Sequence, residues 1–120
     1  LLAGESARRA GDQRAARHLL LRAVGLCREL GQRGVMPELL QEAAAAGAAR
    51  ADSARILAAS DRVVRELRLP RWDPVGLEHT VVSLRRDLGD AAFDRAWAEG
   101  AALPEEEALA LAARCLDSPR

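Results

Sequence analysis

The sequence predicts an all-α protein. Tyr and Asn are absent, Thr occurs once, and the aromatic residues are one Phe and two Trp in 120 positions. A sheet would lack the β-branched and aromatic side chains that fill its faces. Apolar residues make up 49% and charged residues 30% of the chain, the balance of a folded soluble protein. Alanine inflates the apolar share, so the core should be thin and built from closely approaching helices. The length suits one small domain or a few repeat units, and one domain over 1–120 is expected.

Gly and Asp punctuate the chain at helical intervals. Gly11-Asp12 reads as a glycine helix end followed by an Asp N-cap. Ala16, Leu19, Leu20, Ala23, Cys27 and Leu30 then follow helical spacing, which predicts an amphipathic helix over 12–30 with these residues inward. The segment "LGQRG" (30–34) breaks it. A helix over about 36–49 tolerates Pro37 in its first turn. After a restart at 51–53, the next helix places Ile56, Leu57, Ala59, Ser60, Val63, Val64 and Leu67 on one broad face.

"LPRWDP" (69–74) is the clearest loop, with Asp73 as N-cap and Pro74 as first residue of a helix running to about 88. Leu77, Val81, Leu84 and Leu88 should face inward. Gly89-Asp90 starts a short helix that carries Phe93 and Trp97 and that Gly100 is expected to end. The last helix opens after Pro104, and Glu105, Glu106 and Glu107 suit the positive end of its dipole. About seven antiparallel helices result.

Residues 1–35 carry the alternation of small and large positions of a tetratricopeptide repeat. Ala16 and Ala23 are the small positions and Leu20 the filler. The reading is a partial repeat over 1–35, a degenerate one over 36–68 and cap helices over 74–117. The absence of an initiator Met and the opening in what reads as mid-helix suggest a fragment of a larger protein.

Every basic residue is Arg, 18 in all, against 18 acids. GC-rich coding explains the missing Lys, and a net charge of zero argues against a general nucleic-acid binder. Residues 1–70 hold 12 Arg and 8 acids, and residues 71–120 hold 6 Arg and 10 acids, so the halves carry opposite net charge. Cys27 and Cys115 sit within apolar stripes and read as buried free thiols. No run approaches the ~20 apolar residues of a membrane span.

No set of residues carries catalytic chemistry. His18 lies among arginines, and His79 has no second His or Cys at metal-ligand spacing. "GESARRAG" lacks the Lys and the preceding strand of a phosphate loop. The consecutive acids 105–107 point in different directions round a helix. The expectation is therefore no catalytic residue, no metal and no cofactor. Arg17, Arg22, Arg55 and Arg62 lie off the apolar stripes and are candidates for a contact surface. Trp72, Phe93 and Trp97 are candidates for a ligand pocket or a packing anchor, with Phe93 and Trp97 on one face four residues apart.

From Ser53 onward the sequence resembles the C-terminal end of the tetratricopeptide-like region of large bacterial ATP-binding (STAND-type) transcriptional regulators, including those with LuxR-type helix-turn-helix domains and relatives with activator or nucleotide-cyclase domains. Ala54–Asp61 match its "A-R-L-L-G-A-A-E" helix, Leu69-Pro70 its loop, and Leu88-Gly89 its helix end. Phe93, Ala96, Trp97, Ala98, Glu99, Gly100 and Leu103 match "F-x-x-A-W-A-E-G-x-x-L", and Glu106–Ala110 match the "E-E-A-L-A" helix. Pro104 replaces the more usual Ser or Thr, and the turn near 50–53 is shortened. The family's ATP-binding and DNA-binding motifs are absent from these 120 residues.

The resemblance implies a non-enzymatic, cytoplasmic interaction or sensor module. Its partners would be a protein or other domains of the parent regulator, with no direct nucleic-acid or membrane contact. An apolar end face exposed on a truncated repeat module predicts weak self-association of the isolated piece. The alternative is a small-ligand-binding domain with an apolar interhelical pocket.

Overall fold

Gly11 and Asp12 do not interrupt the first helix. The computed structural model describes the backbone of residues 2–46, 50–71 and 73–117, and side chains from residue 12 onward. In it α1 runs from Leu2 to Leu30 without a break. A glycine inside a helix costs about 1 kcal/mol relative to Ala, and propagation through neighbouring good helix formers carries the helix past it. The described residues therefore form six helices rather than seven: α1, α2 (Met36–Ala46), α3 (Arg50–Leu67), α4 (Pro74–Leu88), α5 (Asp90–Ala101) and α6 (Glu105–Asp117).

Capping chemistry sets most of the boundaries. Gly31 takes a left-handed φ of 65° and donates its N–H to the Cys27 carbonyl at 2.9 Å, ending α1. The Asp73 carboxylate accepts the Gly76 N–H at 3.1 Å, and Pro74 occupies the first turn of α4. Gly89, with φ 83°, closes α4 through Arg85 and opens α5 by accepting from Phe93 at 2.9 Å. The start of α3 at Arg50 is earlier than the expected 53, and places Asp52 in the first turn.

α3 is the centre of the molecule, touching α2, α4, α5 and α6. Ser53, Ala54, Ala58, Ala59 and Ser60 are all buried along it, together with Ile56, Leu57 and Val63. Small residues here let neighbouring backbones come close. The closest approach is at Gly100, which was expected to end α5 but lies within it and is buried. A Cβ on Gly100 would stand 2.1 Å from the Arg55 carbonyl oxygen and 2.5 Å from its Cα. Its conservation of space, and not a helix stop, is its role.

α6 returns to pack on α1 and α2. In an open stack of hairpins each unit touches only its neighbours in sequence, whereas here the last helix closes on the first.

The burial of α1 differs from the expected face. Leu20, Val24 and Cys27 turn to the core, while Leu19 and Leu30 are 63% and 65% exposed and Ala16 is exposed. α1 carries apolar residues on two sides, and periodicity alone does not select between them. The α4 residues follow expectation, with Leu84 fully buried and Leu77, Val81 and Leu88 packed against the core. Both thiols are free and buried. Burial pushes the Cys27 and Cys115 thiols up, and the Glu105 charge adds to this at Cys27 and the Asp52 charge at Cys115.

Gly100→Ala should lower stability by about 1–3 kcal/mol or more, because the added methyl meets backbone that cannot swing aside. Gly25→Ala, where an added Cβ meets nothing within 4 Å, should instead leave stability unchanged or raise it by up to about 1 kcal/mol. Urea unfolding of the two variants checks the contrast.

Candidate functional site

The buried polar residues of the described chain are Gln41, Ser53, Ser60 and Asp61, and three of these four line one cleft. The cleft, about 290 Å³, lies between α2, α3 and the start of α4, beside the loop that joins α3 to α4. Pro37, Leu57, Val64, Leu69, Pro70 and Leu77 supply its apolar walls. Such a mixture of apolar walls and a few fixed polar groups is the composition of a small-molecule or side-chain pocket.

Each polar group is held by a specific partner. Ser60 Oγ donates to the Pro37 carbonyl at 2.8 Å, tying α3 to the first turn of α2. Gln41 Nε2 donates to the Asp73 carbonyl at 3.1 Å, fixing the end of the loop. The Asp61 carboxylate receives Arg65 at 3.0 Å from one turn along α3 and the Arg71 guanidinium from the loop. Arg68, with φ 53°, and Asp73, with φ 47°, turn the chain through left-handed conformations at the two ends of this loop. The loop is thus strapped across the cleft mouth by Arg71 and Asp61. Sequence reasoning passed over Gln41 and Asp61. The recoverable signal was an acid at position 61, on the side of α3 that also carries Leu57 and Val64.

Three of the four candidate surface arginines reach other helices. Arg17 Nη2 donates to the last carbonyls of α6, Cys115 at 3.3 Å and Leu116 at 3.1 Å. Arg55 bridges Asp52 at 2.5 Å and Glu99 of α5 at 3.0 Å. Burial works against the Arg55 charge, and these two carboxylates outweigh it, so its acidity is weakened further. Arg62 Nη1 donates to the Ala101 carbonyl at 2.7 Å and closes the C-terminus of α5. Arg22 is exposed on α1. The four do not converge on one patch.

Phe93 and Trp97 stack with centroids 5.5 Å apart at 26°, as their spacing implies. Phe93 is the buried anchor at 2% exposure, with the Arg85 guanidinium 4.3 Å above its ring, while Trp97 is only half-buried. Neither ring lines the cleft. Trp72 lies outside the described residues. His18 and His79 are both exposed, and among the described residues no three His, Cys, Asp or Glu side chains gather as a metal site would require. No helix among them is long and apolar enough to cross a membrane.

Glu105 and Glu106 do more than complement a dipole. Arg33 holds Glu105 at 2.7 Å and Glu66 at 2.9 Å, and Arg28 holds Glu106 at 2.6 Å. The start of α6 is thereby pinned to the end of α1 and the turn that follows.

The chain is similar to curated proteins from mycobacteria. It is 41% identical over 80 residues to "Putative HTH-type transcriptional regulator Rv0890c" of Mycobacterium tuberculosis (strain H37Rv), covering 64% of this chain and 9% of that protein. The same identity and coverage hold for the similarly named Mb0914c of Mycobacterium bovis. The chain thus spans about 9% of the length of the relatives it matches. No family model matches the chain, and no solved structure matches it.

Asp61→Asn removes the charge that holds the loop. It should cost about 1–2 kcal/mol, since both arginine partners can turn to solvent, and should speed tryptic cleavage after Arg68 and Arg71 at a temperature where the rest of the chain stays folded. Phe93→Ala should cost about 3–5 kcal/mol and Trp97→Ala clearly less, as read by thermal unfolding.

Proposed function

We propose that this chain is a non-enzymatic interaction or sensor module within a bacterial transcriptional regulator. The observation that carries the reading is the 41% identity to mycobacterial proteins named as HTH-type transcriptional regulators. The resemblance of residues 93–110 to the tail of large ATP-binding regulators narrows it to the tetratricopeptide-like region of that class. The module would act by recognition across helix surfaces, with no bond chemistry. It would either dock a protein partner or hold a neighbouring ATPase domain inactive until a signal arrives.

A second reading has its own support. The cleft beside the loop that joins α3 to α4 gathers Gln41, Ser60 and Asp61 among apolar walls, and Trp72 stands between Arg71 and Asp73 in the sequence. In this reading a small effector enters the cleft and shifts the loop, and the loop passes the signal on.

Titrating candidate effectors into the chain while following Trp fluorescence and melting temperature separates the two. A saturable rise in melting temperature that Asp61→Asn or Gln41→Ala weakens supports the effector reading. No response to any small molecule, together with binding to an isolated ATPase domain of a regulator carrying this segment, supports docking alone. Absence of both overturns the module.

A further inference from the structure

α1 carries two apolar stripes, about 100° apart round the helix. Its core side carries Leu20, Val24 and Cys27. Its outer side carries Leu19, Leu26 and Leu30, exposed at 63%, 56% and 65%, and Ala15 falls on the same stripe. These leucines span about 16 Å of helix axis. Along one edge of the outer stripe stand Arg22 and Glu29, seven residues apart and therefore nearly in line. Both are exposed, and neither has a hydrogen bond or ion pair among the described residues.

We propose that two copies of this chain associate through the outer stripe of α1, antiparallel, about a two-fold axis crossing the helix between Gly25 and Leu26. The proposal is independent of the regulator reading. A two-fold axis perpendicular to a helix and lying in the interface reverses direction along the helix but keeps each residue on its own edge. Groups on one edge thus meet their mirror positions on the same edge of the partner. With the axis midway between 22 and 29, Arg22 of each copy faces Glu29 of the other, giving two symmetric ion pairs. Leu26 then packs on Leu26 at the centre. Leu19 lands beside the end of the partner helix, near Leu30. The stripe is therefore self-complementary in charge, which an arbitrary apolar face is not.

Sedimentation equilibrium of the chain from about 10 µM to 1 mM tests this. A monomer–dimer equilibrium is expected, with Leu26→Glu abolishing it. Arg22→Glu and Glu29→Arg should each weaken dimerisation by about threefold to thirtyfold, because two pairs become two repulsions. The double variant Arg22→Glu/Glu29→Arg should restore it, since the pairs re-form with reversed polarity. All three positions are exposed, so circular dichroism should show unchanged helix content. Leu26→Cys should form an intermolecular disulfide under mild oxidation, with the buried Cys27 and Cys115 not competing. A chain that stays monomeric at 1 mM overturns the proposal, and the stripe then belongs to another segment or partner. Dimerisation that the double variant fails to restore also overturns the antiparallel register.

Discussion

Everything in this fold is arranged round the contact of two backbones, α5 lying directly on α3 at Gly100 and Arg55. No side chain separates them there, since a Cβ on Gly100 would overlap the Arg55 carbonyl. The contact draws the helices closer than ordinary side chains permit. It requires α3 to be thin, and Ser53, Ala54, Ala58, Ala59 and Ser60 make it so. A thin central helix can be surrounded, and α2, α4, α5 and α6 all reach it. The core is short of volume, and a single large ring, Phe93, is buried in it two turns of α5 before Gly100, with the Arg85 guanidinium over its face. The fully buried Ser53 hydroxyl has no hydrogen-bond partner among the described residues, a local cost that close packing of the surrounding helices outweighs.

Arginine supplies the second layer of organisation. The two halves of the chain differ in charge, and the difference is used across their boundary. Arg28 and Arg33 from the first half hold Glu106 and Glu105, Arg50 holds Asp87 at 2.8 Å, and Arg55 holds Glu99. Arg17 and Arg62 instead cap the carbonyl ends of α6 and α5. A planar guanidinium with five donors suits both tasks, reaching between helices while satisfying two acceptors at once. Each exposed pair contributes only about 0.2–1 kcal/mol. Their larger effect is on register, because a helix slipped by one turn would lose its cap and its bridge together. The return of α6 to α1, over nearly the whole length of the chain, depends on three of these contacts.

The cleft follows from the same economy of space. α2 and the start of α4 flank α3 along Leu57–Val64, and the connecting loop has to bridge the gap between them. Asp61 and Gln41 hold that loop by one charge and one amide. A pocket whose wall is a strapped loop is one that an effector or a partner can alter without disturbing the helices.

Much of this was legible in the sequence. Composition excluded a sheet, and caps such as Asp73-Pro74, Gly31 and Gly89 marked helix ends, because a cap is a local interaction written within four residues. The i, i+4 spacing of Phe93 and Trp97 placed them on one helical face for the same reason. The relative depth of the two rings was not legible, nor was the purpose of Gly100, nor which side of α1 faces inward. Gly11 looked like a break and Gly100 like a stop, since a glycine reads alike wherever it stands. Only a neighbour brought from 45 residues away gives Gly100 its meaning. The arginines looked like surface because periodicity sees one helix at a time, whereas their partners lie on other helices. The sequence by itself determined the all-helical class and most of the helix ends, through composition and short-range capping. The tertiary structure alone decided the faces, the clamps and the cleft, because each depends on groups that meet only when distant segments pack.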